Sequence, residues 1–266
     1  MKVAPLPQPR SRKARGAVCL LASLAIVLHG GASFVGITGV TSSQICARHG
    51  AGEKAAARTA QKAASADPDV IALAESYLAA GSGFWNPVDP DLIAEDFVFR
   101  GEYIGPLNKE DYVQTMRKLK PYSAFPDMKP NAFGFTVDPQ DPLRVWFFVR
   151  NTGTNTKPWV INGVVPLTLP ATGNELKGTV ESYSMLFSPT GKLRYLTVGY
   201  SANKYEGNAG GVGAAFALFN VMGYGALAKL ASQPFVRDFG NWYATIDPQV
   251  PKSRSEEKDL PAWYSE

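Results

Sequence analysis

The stretch that decides the fold is Leu143-Arg-Val-Trp-Phe-Phe-Val-Arg150. It leads into Asn151-Thr-Gly-Thr-Asn-Thr156 and follows Phe125-Pro126-Asp127-Met128. Its residues are mostly β-branched or aromatic and lie between turn formers, which reads as a strand. Strand alternation puts Trp146, Phe148 and Arg150 on one face and Val145, Phe147 and Val149 on the other. Both faces are apolar, so both are expected to be buried, one by helices and the other by the C-terminal segment. Three further runs share the period of two: Asn131–Asp138, Gly178–Ser188 and Lys192–Ser201. The turn Ser188-Pro189-Thr190-Gly191 joins the last two as a hairpin.

Upstream the period is helical. Asp67-Pro68-Asp69 supplies caps and acids for a helix from Val70 to Ala80, stopped at Gly81. Residues 89–95 read as a second, short helix. Asn108 caps a third that runs to about Leu119 and ends at Pro121. Phe97–Arg100 reads as a short strand, a candidate sheet edge. Three helices followed by four long antiparallel strands imply an α+β class, a curved sheet wrapped over helices.

The chemistry is bounded by what is missing. The chain has two histidines, His29 and His49, and two cysteines, Cys19 and Cys46, all before residue 50. The body therefore lacks the parts of a histidine triad, a thiolate nucleophile or a Cys/His metal site. Acid/base work falls to Asp, Glu, Tyr, Lys or Arg. No dinucleotide fingerprint or phosphate loop is visible, so no cofactor is expected.

The leader reads as an address. The first acid is Glu53, and Lys2, Arg10, Arg12, Lys13 and Arg15 precede a short apolar run from Ala17 to Leu28. Residues 1–33 fit a signal peptide, and residues 34–66 fit a transit peptide or disordered leader. The pair resembles the bipartite presequence of algae with complex plastids, which implies delivery to the plastid. The leader takes nine of the 27 basic residues and one of the 23 acids, so the body carries 18 against 22, a net −4. Nucleic acid is not an expected partner.

Several pieces together carry a family resemblance. They are Asp96-Phe-Val-Phe-Arg100, Gly105-Pro-Leu-Asn-Lys-Glu-Asp-Tyr112, Ala124-Phe-Pro-Asp127 and Val149-Arg-Asn-Thr-Gly-Thr154. Between about Val70 and Ser201 the chain resembles the SnoaL-like polyketide cyclases of the nuclear-transport-factor-2-like superfamily. The resemblance implies a cone-shaped curved antiparallel sheet around three N-terminal helices, with an apolar pocket in its mouth. Members include cyclases, isomerases and dehydratases, and also binding and assembly domains. Asn155 stands where the family often has His. The candidate late strand Leu193–Ser201 lacks the family's acid.

On this frame Tyr77, Trp85, Phe99, Tyr103, Tyr112, Trp146, Tyr183 and Tyr195 are expected to supply much of the interior, with Phe148 beside Trp146. Glu181, Tyr183, Met185 and Phe187 share a face, as do Tyr195, Thr197 and Gly199. Arg100 or Arg150 is expected to orient a ligand oxygen, with Glu181 as base and Tyr183 or Tyr195 as donor. A rim salt bridge is the competing reading for these charges. Asp127 after Pro126 reads as a turn former, and Asp96 as a local hydrogen-bond acceptor.

Residues 67–205 thus form the cone domain, 206–233 a Gly-rich segment with an apolar helix, and 234–266 a tail that wraps the surface, loosely held from Pro251. Val212–Leu230 barely reaches the length of a membrane span and carries Gly213, Asn220, Gly223 and Gly225. Packing on the domain is favoured over membrane contact. Homodimerisation is left open. The reading is a domain that binds a small apolar molecule. Its alternatives are an isomerase, cyclase or dehydratase acting on an apolar carbonyl compound, and a non-catalytic assembly or membrane-tethered factor.

Overall fold

The computed structural model describes residues 68–163 and 166–264. The proposed signal and transit segments, with both histidines and both cysteines, lie outside the described residues.

Helix α1 spans Val70–Ala79. The Asp69 carboxylate accepts from the Ile71 and Ala72 N–H groups at 3.1 and 3.2 Å, satisfying two of the donors that every helix start leaves open. Strand β1 spans Ile93–Gly101 and β2 spans Leu107–Asn108. Helix α2 spans Lys109–Leu119 and is capped by Asn108, whose side chain accepts from Asp111 N–H at 2.9 Å. Glu110 and Asp111 lie in its first turn and Arg117 and Lys118 in its last, matching the helix dipole. Pro121 opens the single turn α3, Pro121–Ala124.

Strands β3 (Phe133–Val137), β4 (Arg144–Val149), β9 (Glu181–Phe187) and β10 (Leu193–Ser201) are the long antiparallel set. Between β4 and β9 lie four three-residue strands, β5 (Thr152–Thr154), β6 (Trp159–Ile161), β7 (Leu167–Leu169) and β8 (Glu175–Lys177). They pair as two small ribbons, β5 with β8 and β6 with β7. The main sheet has the order β2-β1-β10-β9-β4-β3. Breaks in register within the β1–β10, β10–β9 and β3–β4 pairs bend it, as bulges do. The result is a mixed α+β fold with a curved sheet. Helix α1 packs on β3 and β4, and α2 packs on β1 and β2.

The first core fills the space between these helices and the sheet, through Phe97, Phe99, Val145, Phe147, Val149, Tyr183, Met185 and Phe187. A fully buried side chain of this size contributes about 1.5–3 kcal/mol of transfer free energy. A second core gathers Phe125, Met128, Trp159, Leu169, Leu176, Leu218 and Val221. The short ribbons and the C-terminal helices build it, and the Trp159 indole donates to the Leu119 carbonyl at 2.6 Å.

Several expectations need correction. Residues 89–95 are not a helix: a 3-10 turn at Pro90–Leu92 runs straight into β1. Strand β1 is internal and parallel to β10, because β2 folds back to form the edge. Trp146 and Phe148 are 45% and 38% exposed, so the sheet is not covered on both faces. The 212–230 segment is two helices, α4 (Ala214–Val221) and α5 (Gly225–Ala231). They are separated at Gly223, whose φ of +85° leaves the helical region. Helix α6 follows at Pro234–Ala244. Among the described residues no helix is long and apolar enough to cross a membrane. The tail beyond Pro251 is tied down: Ser255 Oγ donates to Asp111 at 2.7 Å, and the Trp263 indole donates to the Asp96 carbonyl at 2.9 Å.

Candidate functional site

On β9, alternation sends Glu181, Tyr183, Met185 and Phe187 inward, and all four are buried. Glu181 has no solvent exposure. Its Oε1 accepts from Asn151 Nδ2 at 3.2 Å, and its Oε2 accepts from the Tyr183 hydroxyl at 3.2 Å and from Ala214 N–H at 3.1 Å. Asn151 is held in turn by the Trp85 indole, which donates to its Oδ1 at 2.7 Å. Burial pushes the Glu181 carboxyl up to about 7, against the three hydrogen bonds that favour its ionised form. Burial next to this acid also drives the Tyr183 phenol well above its ordinary value, so it stays a neutral donor.

Two glycines make room for the carboxyl. A methyl group on Gly213 would lie 2.8 Å from Glu181 Cδ and 2.4 Å from the Gly199 carbonyl oxygen. Gly199 has φ +81°, a value open to glycine at little cost. It sits within the register break between Thr197 and Tyr200 on β10. That break shifts side-chain parity, so Gly199 lies by Glu181 while Tyr195 is on the outer face, against Trp263 and Tyr264.

A cavity of about 180 Å³ opens in front of this group. Its lining includes Tyr183, Met185, Leu196, Val198 and Gly199 from the sheet, and Trp85, Tyr112 and Met116 from the helical side. Gly213–Phe216 and Pro251–Ser253 of the C-terminal region contribute as well, with Tyr103 from the loop after β1. Among the described residues, Glu102 and Lys252 are the only charged ones in its lining. The Tyr112 hydroxyl donates to the Ser82 carbonyl at 2.7 Å and lies 3.0 Å from the Tyr77 hydroxyl, so both phenols are occupied within the wall. Burial raises both above the ordinary phenol value.

Trp85, Tyr103, Tyr112 and Tyr183 therefore meet at one cavity, with Tyr77 and Glu181 directly behind its wall. The other candidates lie elsewhere. Trp146, Phe148 and Arg150 occupy the opposite face of β4. Arg150 pairs with Glu206 at 3.2 Å and lies 5.9 Å from the Phe133 ring. Tyr195 is half-buried, 5.6 Å from the Arg144 guanidinium. Arg100 donates to the Gly105 carbonyl and lines a different hollow. Asp127 accepts from the Thr154 N–H at 2.7 Å and the Thr154 hydroxyl at 2.9 Å, bracing a loop. Asp96 pairs with Arg194 at 2.7 Å, a contact far apart in sequence rather than local. Asn155 is fully buried and ties Ala124, Lys157 and Thr172 together, away from the cavity lining. No groups of three or more His, Cys, Asp or Glu suited to a metal ion occur among the described residues.

Sequence reasoning missed Asn151 and the Gly213–Ala214 N–H as partners of Glu181. The Gly-rich run at 207–213 was a signal, since glycine allows a backbone to approach a buried group closely.

Solved structures similar to this chain include SnoaL-like polyketide cyclases and nuclear-transport-factor-2-like proteins. A SnoaL-like polyketide cyclase from Agrobacterium tumefaciens has 13% identity and a TM-score of 0.32, covering 49% of this chain and 90% of its own. SalBIII, an epoxide hydrolase/cyclase-like enzyme of pyran ring formation in salinomycin, has 12% identity and a TM-score of 0.36, covering 55% and 95%. A nuclear-transport-factor-2-like protein from Anabaena variabilis has 16% identity and a TM-score of 0.33, covering 55% and 90%. No protein-family model and no curated protein matches the chain.

Proposed function

We propose that the domain binds one compact, mostly apolar molecule in this cavity, with Tyr183 at its polar end and Glu181 behind it. The observation that carries the reading is a near-apolar hollow walled by a buried Tyr–Glu–Asn–Trp chain of hydrogen bonds. Apolar concave sites with a few convergent polar groups are the usual form of small-molecule sites. The volume limits the occupant. About 180 Å³ is below the roughly 300–1,000 Å³ of drug-sized ligand sites and close to the roughly 150 Å³ that holds benzene. The ligand is then one or two rings, or a short branched chain, rather than a long polyketide.

Binding is favoured over catalysis because the Glu181 carboxylate already has three protein donors and is not itself among the lining residues. A second reading, acid/base chemistry on a carbonyl compound, is favoured by one observation. A carboxyl near 7 is matched to proton transfer at neutral pH, and Tyr183 connects it to the cavity.

Mass spectrometry of molecules co-purifying with the chain, with a titration of Trp fluorescence by compact cyclic ketones, tests the first reading. Saturable quenching that disappears in a cavity-filling Ala215→Phe variant supports it. Absence of quenching across the series refutes it. The second reading requires deuterium exchange at the α-carbon of a bound ketone, lost in Glu181→Gln.

A further inference from the structure

Helix α6 docks by its polar side and leaves its apolar side in solvent. Phe235, Phe239, Trp242 and Ile246 follow one another at spacings of four, three and four residues, which sets them in one narrow stripe along the helix and the turn after it. Ile246 stays on the stripe because its N–H still donates to the Tyr243 carbonyl at 2.9 Å. A surface helix ordinarily turns such a stripe to the core. Here all four side chains are more than half exposed, and Ala244 is the one buried residue of α6. The polar side holds the helix in place: Arg237 donates through Nη1 to the Tyr103 carbonyl, and Asn241 Oδ1 accepts from Ser253 N–H at 2.8 Å. The tail thus returns against the polar side, and the aromatic side stays open. Within the stripe the Phe239 and Trp242 rings lie 5.6 Å apart.

Four, three, four is the spacing of the alternating d and a positions of a coiled coil, a seam that takes the side chains of a facing helix. It also reads the same in both directions. A second α6 laid antiparallel brings Phe235 opposite Ile246 and Phe239 opposite Trp242, so the stripe is its own complement, as a two-fold contact requires. A lipid surface fits less well. Helices that lie on membranes carry a basic polar face, whereas the charges of α6 are Arg237, held to Tyr103, and Asp238, which is exposed. We propose that α6 is a self-association surface, pairing two copies of this chain through Phe235, Phe239, Trp242 and Ile246 about a two-fold axis. Area sets its strength. An aromatic side chain carries about 150–250 Å², so three of them and Ile246, each over half exposed, leave on the order of 400 Å² per copy. The pair then buries about 800 Å² through the stripe, short of the roughly 1,200 Å² where standard interfaces begin, so the dimer is reversible, with a Kd above about 1 µM. The surface is separate from the apolar cavity, and the proposal stands without the ligand-binding reading.

The test is sedimentation velocity of the full chain over about a hundredfold range of concentration spanning that constant. The sedimentation coefficient should rise from that of a monomer to that of a dimer. Trp242→Ala should weaken the dimer at least about tenfold, as loss of a central aromatic anchor does. Phe239→Glu, which brings carboxylates together near the two-fold axis, should hold the chain monomeric throughout. Both positions are exposed, so thermal unfolding of the dilute chain should not change. Phe133→Glu, on the exposed apolar face of the sheet, should leave the dimer intact. A wild-type chain that stays monomeric across the range overturns the proposal. So does a dimer that survives Phe239→Glu, or one that Phe133→Glu dissociates as effectively. Co-sedimentation with equimolar phosphatidylcholine and phosphatidylserine vesicles decides the lipid alternative. A monomeric chain that binds them, and loses binding in Trp242→Ala, overturns the proposal in favour of a membrane surface.

Discussion

Replacing Glu181 by Gln tests whether the buried carboxyl stores energy that pH can release. Burial lifts this group from 4.5 to about 7. At roughly 1.4 kcal/mol per pH unit, that displacement is worth about 3 kcal/mol. The sign follows from linkage. The folded chain holds the proton more tightly than the unfolded one, so this contribution is fully present below pH 4.5 and is lost as pH rises through about 7. Glutamine has nearly the same shape and does not ionise. Relative to wild type, the variant should therefore gain about 3 kcal/mol between pH 4.5 and pH 8. Only the difference between the proteins is informative, because other carboxylates act in the opposite sense. Asp138, held low by the Trp146 indole, is one of them. Urea unfolding of both proteins at several pH values gives the difference directly. A difference that stays level within about 0.5 kcal/mol across that range, or that grows in the other direction, would refute the reasoning.

Three further outcomes follow from the same geometry. Tyr183→Phe removes a donor that favours the ionised acid, so the pH dependence of stability should move to a midpoint above 7, visible in the same urea series. Gly213→Ala places a methyl group against Glu181 and the Gly199 carbonyl and should cost at least about 2 kcal/mol while displacing Glu181, read as reduced stability together with lost pH dependence. Lys120→Gly should stabilise the chain by about 0.5–1 kcal/mol in thermal unfolding, because Lys120 ends α2 with φ 42°, a conformation glycine adopts without strain.

The long elements were legible because their patterns are strong. Glu181, Tyr183, Met185 and Phe187 alternate with smaller or polar residues along β9, and that parity alone turns the acid inward. The capped helices at Asp69 and Asn108 were equally plain. Parity failed on β10, where the register break near Gly199 moves one residue to the other face without leaving a mark in composition. It also failed on β4, where Trp146 and Phe148 remain partly exposed although they read as core. Tryptophan there is supported by a hydrogen bond from its indole to Asp138 at 2.8 Å rather than by a covering layer. Strands β5 to β8 are too short for any period to register. Two of the three partners of Glu181 lie 30 and 33 residues away in sequence, and the tail docks through scattered contacts such as the Ser255 hydroxyl and the Trp263 indole. Such contacts depend on the finished fold, and no local pattern encodes them.

Crystals of the protein exposed to xenon or benzene would test the cavity most directly, since dry apolar hollows take up both. Bound density is expected between Tyr183, Met116 and Phe216. Side chains filling that space, or ordered water in its place, would contradict it.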